Sequence, residues 1–158
     1  MDVCASLEVL NSSFTKITQC ESASGFGFCQ LIQMVFKIYE VRRKIQNTLR
    51  ELRKQISGDP DCEVYDICAC VDRLNSKERA EALSLWGPWN KISNETVETG
   101  QKCLQSMAEG ITQCKNDGYH LAAWVLSFLT KKYEKILDSL DEIEFITEEY
   151  LAALKAKG

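Results

Sequence analysis

Apolar residues along the chain recur at alternating spacings of four and three, which is the period of one face of an α-helix. The pattern is clearest over residues 28–57, where it continues through four heptads and is interrupted by one charged residue, Arg42. It predicts a helix roughly 45 Å long there. No segment of the chain favours a β-strand, so we expect an all-α protein.

The first half of the chain contains two more predicted helices. One covers residues 2–20, and a loop rich in glycine and serine separates it from helix 28–57. The other covers residues 60–74. Its start is indicated by Gly58-Asp59-Pro60, because glycine ends helices, aspartate caps them and proline suits the first helical position.

Three helices are predicted in the second half of the chain. A short helix over residues 76–86 follows a capping-box pattern, Asn75 with Glu78 three residues later, and ends at the turn Trp86-Gly87-Pro88-Trp89. Ser93 can cap a helix over residues 94–115. The last helix covers residues 119–156, and its first turns are apolar nearly all round, so we expect that end to be the most buried.

Together these elements predict one domain, residues 1–158, built as an antiparallel bundle of three long and two or three short helices. The later part of the last helix is acidic, whereas positions 42–54 of helix 28–57 are basic. These two surfaces can face each other within one chain, or across a homodimer formed through the long helices.

Composition places the chain among soluble globular proteins. It has 158 residues, of which 45% are apolar and 27% are charged, enough for one domain with its own core. The net charge of -4 and a pI near 5.1 argue against binding to nucleic acids or acidic membranes. No apolar run approaches the length of a membrane-spanning helix, about 18 residues or more.

The cysteines are the strongest indication of the cellular compartment in which the protein works. The chain has eight cysteines, an even number typical of a disulfide framework in an oxidising compartment, so we expect four disulfides that staple the helices together. Three of them lie within residues 61–70, and there Cys68 and Cys70 point to opposite faces of a helix and need different partners. The connectivity stays open among 105 pairings. The candidate disulfide cysteines are Cys4, Cys20, Cys29, Cys62, Cys68, Cys70, Cys103 and Cys114.

Secretion is the expected localisation if these thiols are oxidised. Two sequons, at Asn11 and Asn94, are candidate glycosylation sites and agree with it. The residues after Met1 do not form a signal peptide, so we expect a leader to have been removed from a longer precursor. The alternative is a cytosolic helical adaptor whose free cysteines pack as small hydrophobic residues.

No pattern in the sequence indicates catalysis, a metal site or a cofactor. The single histidine, His120, lies beside a turn, where a capping or packing role is more common than that of a catalytic base. The cysteine spacings lack the paired knuckles of zinc sites, and no Cys-x-x-Cys redox motif is present. We therefore expect a protein that is not an enzyme.

With its cysteines spread over helices, no enzyme motif and a charged last helix, the chain resembles the small secreted, all-helical, disulfide-stapled salivary proteins of blood-feeding insects such as mosquitoes. This resemblance covers the whole chain and rests on general character. It implies binding to host immune, complement or haemostatic components, and it assigns no residue a role.

The sequence thus predicts a secreted binding protein that acts by occupying the surface of a host or extracellular protein. An exposed tryptophan pair beside a Gly-Pro turn would make a good anchor, although the two indoles can instead fold back onto the core. A second hypothesis is a carrier of a small apolar ligand, held between helices near Trp124 and Phe128. The candidate partner-binding residues are Trp86, Trp89, Arg43, Lys44, Arg50, Arg53 and Lys54.

Overall fold

The computed structural model describes residues 7–8, 11–12 and 28–157. In the last of these ranges the chain forms four helices and no strand, which confirms the all-α prediction. The helices are α1 (Phe28–Ser57), α2 (Ile67–Asp72), α3 (Ser76–Asn116) and α4 (His120–Lys157). The helix predicted over residues 2–20 lies outside the described residues except at positions 7, 8, 11 and 12, which are helical.

The helix α4 is the centre of the described structure, because it contacts each of the other three. It runs antiparallel to α3: Gly100 lies opposite Tyr133, and Ser93 lies opposite Thr147. It runs parallel to α1, since Tyr39 meets Lys132 and Arg53 meets Glu142 further along both helices. The short α2 packs near the end of α4, where the Lys157 ammonium meets the Asp72 carboxylate at 2.6 Å.

The apolar face predicted for helix 28–57 forms the buried side of α1. Its buried positions include Ile38, Ile45 and Leu52, which join residues of α3 and α4 in one hydrophobic core. Leu7 from the N-terminal region is fully buried in the same core. Arg42, the charged interruption in the pattern, is exposed at the edge of this face.

The second half of the chain differs from the prediction, because α3 is one helix where two were expected. It passes through Pro88, which cannot donate a backbone hydrogen bond to the carbonyl group one turn earlier. Gly87 eases the strain, since the residue before a proline is hindered in a helix mainly when it has a Cβ. Packing keeps the helix continuous: Trp86 and Trp89 are both buried. Ser93 therefore lies inside the helix and is not a cap.

The helix predicted over residues 60–74 is shorter in the structure. It begins at Ile67, and its cap is Asp66, whose carboxylate accepts a hydrogen bond from the Ala69 amide at 3.3 Å. The carboxylate of Asp59 accepts instead from the Asp61 amide at 3.0 Å, which stabilises a local turn after Gly58. Residues 62–66 have no helical structure.

Two of the predicted helix boundaries are confirmed, one by its hydrogen bonds and one by its backbone conformation. At the start of α3, Asn75 and Glu78 form a reciprocal capping box, with distances of 2.9 and 3.1 Å. Between α3 and α4 the chain turns at Gly118, whose φ of +79° is strained for any residue with a Cβ.

No disulfide joins any two of the five cysteines whose side chains the structure describes. They are Cys62, Cys68, Cys70, Cys103 and Cys114. Cys4, Cys20 and the side chain of Cys29 lie outside the described part of the chain. With three cysteines outside, four disulfides would require at least one bond between two of these five. The predicted staples are therefore not seen among the described residues.

The start of α4 is exposed on one side, which corrects the expectation that it would be the most buried end. Ala123, Leu126 and Leu129 are buried on the inner side, whereas Trp124 and Phe128 face solvent. A helix that is apolar all round buries only the sides that meet another element. None of the described helices has the length and apolar character needed to cross a membrane.

Candidate binding site between α1 and α4

A surface groove runs between the parallel helices α1 and α4 and has a volume of about 310 Å³. We call it the α1–α4 groove. Both helices contribute apolar, polar and basic side chains to it. The lining residues are Ile38, Tyr39, Arg42, Ile45, Gln46, Lys132, Lys135, Ile136 and Ser139.

Three isoleucines form the floor of the groove. Ile38 and Ile45 come from α1 and Ile136 from α4, and all three are at most 3% exposed. They belong to the hydrophobic core that holds the two helices together. Because they are almost fully buried, these three residues close the bottom of the groove and leave almost no apolar surface open to it.

Three basic side chains line the walls above this floor: Arg42 from α1, and Lys132 and Lys135 from α4. In the described part of the chain none of the three forms an ion pair with a carboxylate. The hydrogen-bonding partner of the Lys132 ammonium is the Tyr39 hydroxyl group, at 2.8 Å. The groove is therefore a concentration of positive charge on a chain of net charge -4.

Lys132 is held in place by two aromatic rings. Its ammonium nitrogen lies 5.0 Å from the centre of the Tyr39 ring and 4.9 Å from that of Phe128, within the range of cation–π attraction. The hydrogen bond and the charge of Lys132 lower the pKa of Tyr39. The two helices are thus linked at this level by a cation between two rings.

Exposed aromatic side chains extend from this point toward one end of the molecule. Phe36 lies one turn before Tyr39 on α1, and Trp124 lies one turn before Phe128 on α4. Their exposed fractions are 69% for Phe36, 47% for Tyr39, 69% for Trp124 and 53% for Phe128. Tyr39 and Phe128 both contact the Lys132 ammonium, and Phe36 and Trp124 lie one turn earlier on the same two parallel helices. We call these four residues the aromatic rim.

Trp86 and Trp89, which the sequence suggested as contact residues, do not lie on the surface. Each is 2% exposed, in the interface between α3 and α4. The centre of the Trp86 ring lies 5.0 Å from that of Trp89 and 4.4 Å from that of Tyr150. The structure agrees with the alternative, in which the indoles fold back onto the core. Trp86 and Trp89 are therefore not part of the contact surface.

The basic row predicted on α1 is partly neutralised within the chain. Arg50 pairs with Asp61 at 2.8 Å, Arg53 with Glu142 at 2.9 Å, and Lys44 with Glu40 at 3.0 Å. The Arg53 pair joins the basic side of α1 to the acidic part of α4 within one chain. Arg43 and Lys54 are exposed, and neither forms an ion pair with a described residue.

The basic residues of the groove were missed from the sequence, although a signal for them exists. Phe128, Lys132, Lys135 and Ser139 are spaced by four, three and four residues, so they share one face of α4 next to the apolar stripe. Arg42 marks the matching position on α1. Only the pairing of the two helices, which the sequence does not specify, brings these positions together.

The remaining candidate residues occupy separate places. His120 is exposed at the first position of α4, Asn94 is exposed on α3, and the side chain of Asn11 is partly buried. Among the described residues no three histidine, cysteine or carboxylate side chains are grouped as metal ligands. Trp124 and Phe128 are exposed and do not enclose a cavity of the kind expected for an apolar carrier.

Comparisons with known proteins do not assign this chain to a family. No family model, curated protein or solved structure matches it. The contact surface is therefore inferred from the α1–α4 groove and the aromatic rim.

Proposed function

We propose that this protein is a secreted, non-enzymatic binding protein that acts through contact with a host or extracellular protein. Its role would be that of a salivary-type effector acting on immune or haemostatic components. The observation that supports this best is the aromatic rim, four aromatic residues 47–69% exposed at one end of the molecule. The proposed contact surface is this rim together with the adjoining basic groove.

Exposed aromatic rings next to basic side chains have the composition of protein interfaces. Aromatic residues and arginine are enriched at such interfaces, and tryptophan, tyrosine and arginine most often dominate their binding energy. The basic groove would speed the encounter with an acidic partner surface and orient it.

The scaffold beneath the aromatic rim also favours binding. Phe36 and Tyr39 stand on α1, and Trp124 and Phe128 stand on α4, two long helices joined through a buried core. Side chains presented by rigid helices lose less conformational freedom on binding than side chains on loops. The proposed surface therefore requires no rearrangement of the backbone.

The test is to compare capture of extracellular proteins by the wild-type protein and by the double variant Trp124→Ala/Phe128→Ala. Both would be immobilised and exposed to serum and to solubilised leukocyte membranes, and any partner would be purified and its affinity measured by biolayer interferometry. Because each lost aromatic anchor typically costs about 2 kcal/mol or more, we expect the double variant to bind at least about a hundredfold more weakly.

The matched control is Leu85→Ala/Phe145→Ala, which removes two exposed apolar side chains from α3 and from the middle of α4. It should bind the purified partner as the wild type does. Equal binding by all three proteins, or the absence of any partner dependent on the rim, would overturn the proposed contact surface.

Secretion and oxidised cysteines are part of the same proposal. The support is the even number of cysteines and the exposed sequon residue Asn94 on α3. Intact mass with and without reductant counts the bonds, because four disulfides remove eight hydrogens. Four disulfides would also require two of the five described thiols to approach each other, and residues 58–66, the longest described connection, offer the most freedom to move. Eight reduced thiols would favour the cytosolic adaptor.

A second candidate function is an extracellular carrier of a small ligand. The observation that favours it is the α1–α4 groove, whose volume of about 310 Å³ lies at the lower end of the range for small-molecule sites. Native mass spectrometry of the protein purified from its natural source would show a ligand that is retained on purification and released by organic solvent. A protein that carries no such mass and takes up no amphiphile on incubation would exclude this function.

A further inference from the structure

We infer that Cys62 and Cys70 form a disulfide with each other when the protein is oxidised. This inference rests on the proposed oxidation of the cysteines in an extracellular protein. It names one bond of a connectivity that the proposal leaves open, and it does not depend on the aromatic rim or on the α1–α4 groove.

Helix geometry excludes two pairs among the five described cysteines, of which at least two must pair if all eight are oxidised. Cys68 and Cys70 lie two positions apart on α2 and point to opposite sides of it. Cys103 and Cys114 lie about 16 Å apart along the axis of α3. The Cα atoms of a disulfide are within about 7 Å of each other, so neither pair can be bridged.

The cysteines of α2 are also too far from those of α3. Cys70 lies near Tyr150, because its thiol adds to the effect of burial in raising the pKa of that tyrosine. Cys103 lies one turn past Gly100, whose carbonyl accepts a hydrogen bond from Tyr133. Tyr133 and Tyr150 are about 25 Å apart along α4, and the other cysteine of α3 is further away still.

Every remaining pair contains Cys62, which lies in the connection between α1 and α2. Cys103 and Cys114 belong to the buried hydrophobic core, so Cys62 could reach them only if the core opened. Its available partners are therefore Cys68 and Cys70, which are close to it along the chain.

The surroundings of Tyr65 favour Cys70. Burial is the largest cause of the raised pKa of Tyr65, and the thiols of Cys70 and Cys62 are both among the smaller causes that raise it. The two sulfur atoms therefore lie near the same hydroxyl group. Cys70 is 7% exposed on this side of α2, whereas Cys68 is exposed on the opposite side.

The backbone between Cys62 and Cys70 allows the approach. The Cys62 thiol donates a hydrogen bond to the Val64 carbonyl at 3.2 Å, so its sulfur already points along the chain toward α2. At the start of α2 the Cys70 amide donates to the Asp66 carbonyl at 3.0 Å. The Val64 side chain is 92% exposed, so residues 62–64 can move without breaking a core contact.

Glutathione disulfide is an oxidant that suits this pair. The more exposed Cys62, as a thiolate, attacks one sulfur of it and releases one molecule of glutathione. The Cys70 thiolate then attacks the Cys62 sulfur of the mixed disulfide and releases the second molecule. Two protein thiols are oxidised to one disulfide, one glutathione disulfide is reduced, and the two thiol protons go to the two glutathiones.

The experiment maps the bond in the full-length protein by mass spectrometry. The protein would be equilibrated with glutathione and glutathione disulfide, alkylated with iodoacetamide and digested with endoproteinase Asp-N without reduction. This enzyme cleaves before aspartate and so releases residues 61–65 and 66–71 as separate peptides. We expect the two peptides to be joined, and fragmentation to place the bond between Cys62 and Cys70 and not at Cys68.

The decisive variant is Cys62→Ser, and its matched control is Cys68→Ser, which changes another cysteine of the same segment. Cys62→Ser should make the Cys70 thiol available for alkylation in the denatured protein, whereas Cys68→Ser should leave the joined peptides intact. Neither Cys62 nor Cys68 belongs to the hydrophobic core, so both variants should fold, which circular dichroism would verify. The peptide map of the wild type decides the pairing even without the variants.

The outcomes separate this inference from the proposed oxidation of all eight cysteines. If Cys62 is joined to Cys68 or to a more distant cysteine, the inference is overturned and the oxidised framework stands. If the bond between Cys62 and Cys70 is the only one formed, the inference stands and the framework of four disulfides is overturned. If all eight thiols stay reduced in glutathione disulfide, both fail.

Discussion

The helix α4 contacts α3 on one side and α1 on the other, and the two contacts differ in chemistry. Toward α3, buried hydroxyl groups find partners: the Tyr133 hydroxyl donates to the Gly100 carbonyl at 3.0 Å, and the Ser93 and Thr147 hydroxyls lie 3.1 Å apart. Toward α1, the surface groove is lined by basic side chains that lack carboxylate partners in the described chain. The contact with α3 is closely packed and its buried hydroxyl groups are hydrogen-bonded, so we call it the closed contact. The contact with α1 leaves a groove at the surface, so we call it the open contact.

The difference follows from the sizes of the side chains at the two contacts. On α3, Gly100 has no side chain, so the backbone comes close to Leu137 and Tyr133 of α4. On α1, Arg42 lines the groove together with the long side chains of Lys132 and Lys135 from α4. Small residues close a helix–helix contact, whereas long charged residues keep its outer edge open. The closed contact should govern stability, and the open one should govern binding.

The largest effect on stability is expected from Trp86→Ala at the closed contact. Trp86 is 2% exposed, and its ring meets those of Trp89 and Tyr150. Removing a buried tryptophan leaves a cavity, so the free energy of unfolding should fall by about 3–5 kcal/mol in urea denaturation. Leu85→Ala changes the preceding residue, which is exposed. It should change the free energy of unfolding by no more than about 0.5 kcal/mol. Similar losses in the two variants would contradict the burial of Trp86.

A smaller loss is expected from Gly100→Ala, which tests how closely α3 and α4 approach. A Cβ at this position would lie 2.8 Å from Cδ2 of Leu137 and 3.3 Å from Cδ1 of Leu140. Overpacking of this kind typically costs about 1–3 kcal/mol, against a gain of about 1 kcal/mol for replacing glycine with alanine in a helix, so the net cost should be no more than about 2 kcal/mol. We therefore expect a net loss in thermal denaturation.

The control for this substitution is the same change in a Leu137→Ala background. Without the leucine side chain the clash is reduced, and Gly100→Ala should cost less than it does in the wild type. A double-mutant cycle measures the difference, which we expect to be about 0.5–3 kcal/mol. If the effects of Gly100→Ala and Leu137→Ala on stability were additive, α3 and α4 would lie further apart than in the structure.

The helices were the part of the fold that the sequence predicted well, because their signals are local. The four-three spacing of apolar residues defined α1, and the Asn75–Glu78 capping box defined the start of α3. The break expected at Pro88 was wrong for a tertiary reason. The burial of Trp86 and Trp89 against α4 outweighs the hydrogen bond lost at the proline, and no local pattern records that packing energy.

The candidate site was less predictable, because it depends on which helices pair and in what register. The sequence pointed to Trp86 and Trp89, which are buried, and to Arg50 and Arg53, which have acidic partners. It named Trp124 and Phe128 as neighbours of a small apolar ligand held between helices, and both side chains are exposed in the structure. The positions of Lys132 and Lys135 became significant only once α1 was found parallel to α4 with Arg42 at the same level.

At the closed contact, Tyr133→Phe should have a moderate effect. The ring is fully buried, and the substitution keeps it while removing the hydroxyl group that donates to the Gly100 carbonyl. A buried hydrogen bond of this type typically contributes about 0.5–1.5 kcal/mol, so urea denaturation should show a loss in that range. An unchanged midpoint would show that the hydroxyl group adds nothing to the closed contact.

A small effect is expected from the ion pair that joins α1 to the acidic part of α4. Arg53 and Glu142 are 2.9 Å apart, and the Glu142 side chain is 45% exposed. Since ion pairs in contact with solvent contribute about 0.2–1 kcal/mol, Glu142→Gln should lower stability by no more than that, and the loss should shrink at high salt. The control is Glu149→Gln, an exposed residue of α4 that forms no ion pair with a described residue.

The smallest effect on stability, and the most local, concerns the ionisation of Tyr39 at the open contact. The hydrogen bond from Lys132 and then its charge lower the pKa of the Tyr39 hydroxyl from its usual value of 10.0. A lowered pKa in the folded state favours the phenolate. The resulting stabilisation is therefore present above the unfolded pKa and is lost as pH falls through the folded one, so it is absent at neutral pH. Titration of ring-labelled tyrosine by NMR should show Lys132→Gln raising the pKa of Tyr39, while Lys131→Gln leaves it unchanged. If neither substitution changed the pKa of Tyr39, the Lys132 ammonium would not stay between the two helices. The side chain of Lys132 would then not be fixed in the wall of the groove.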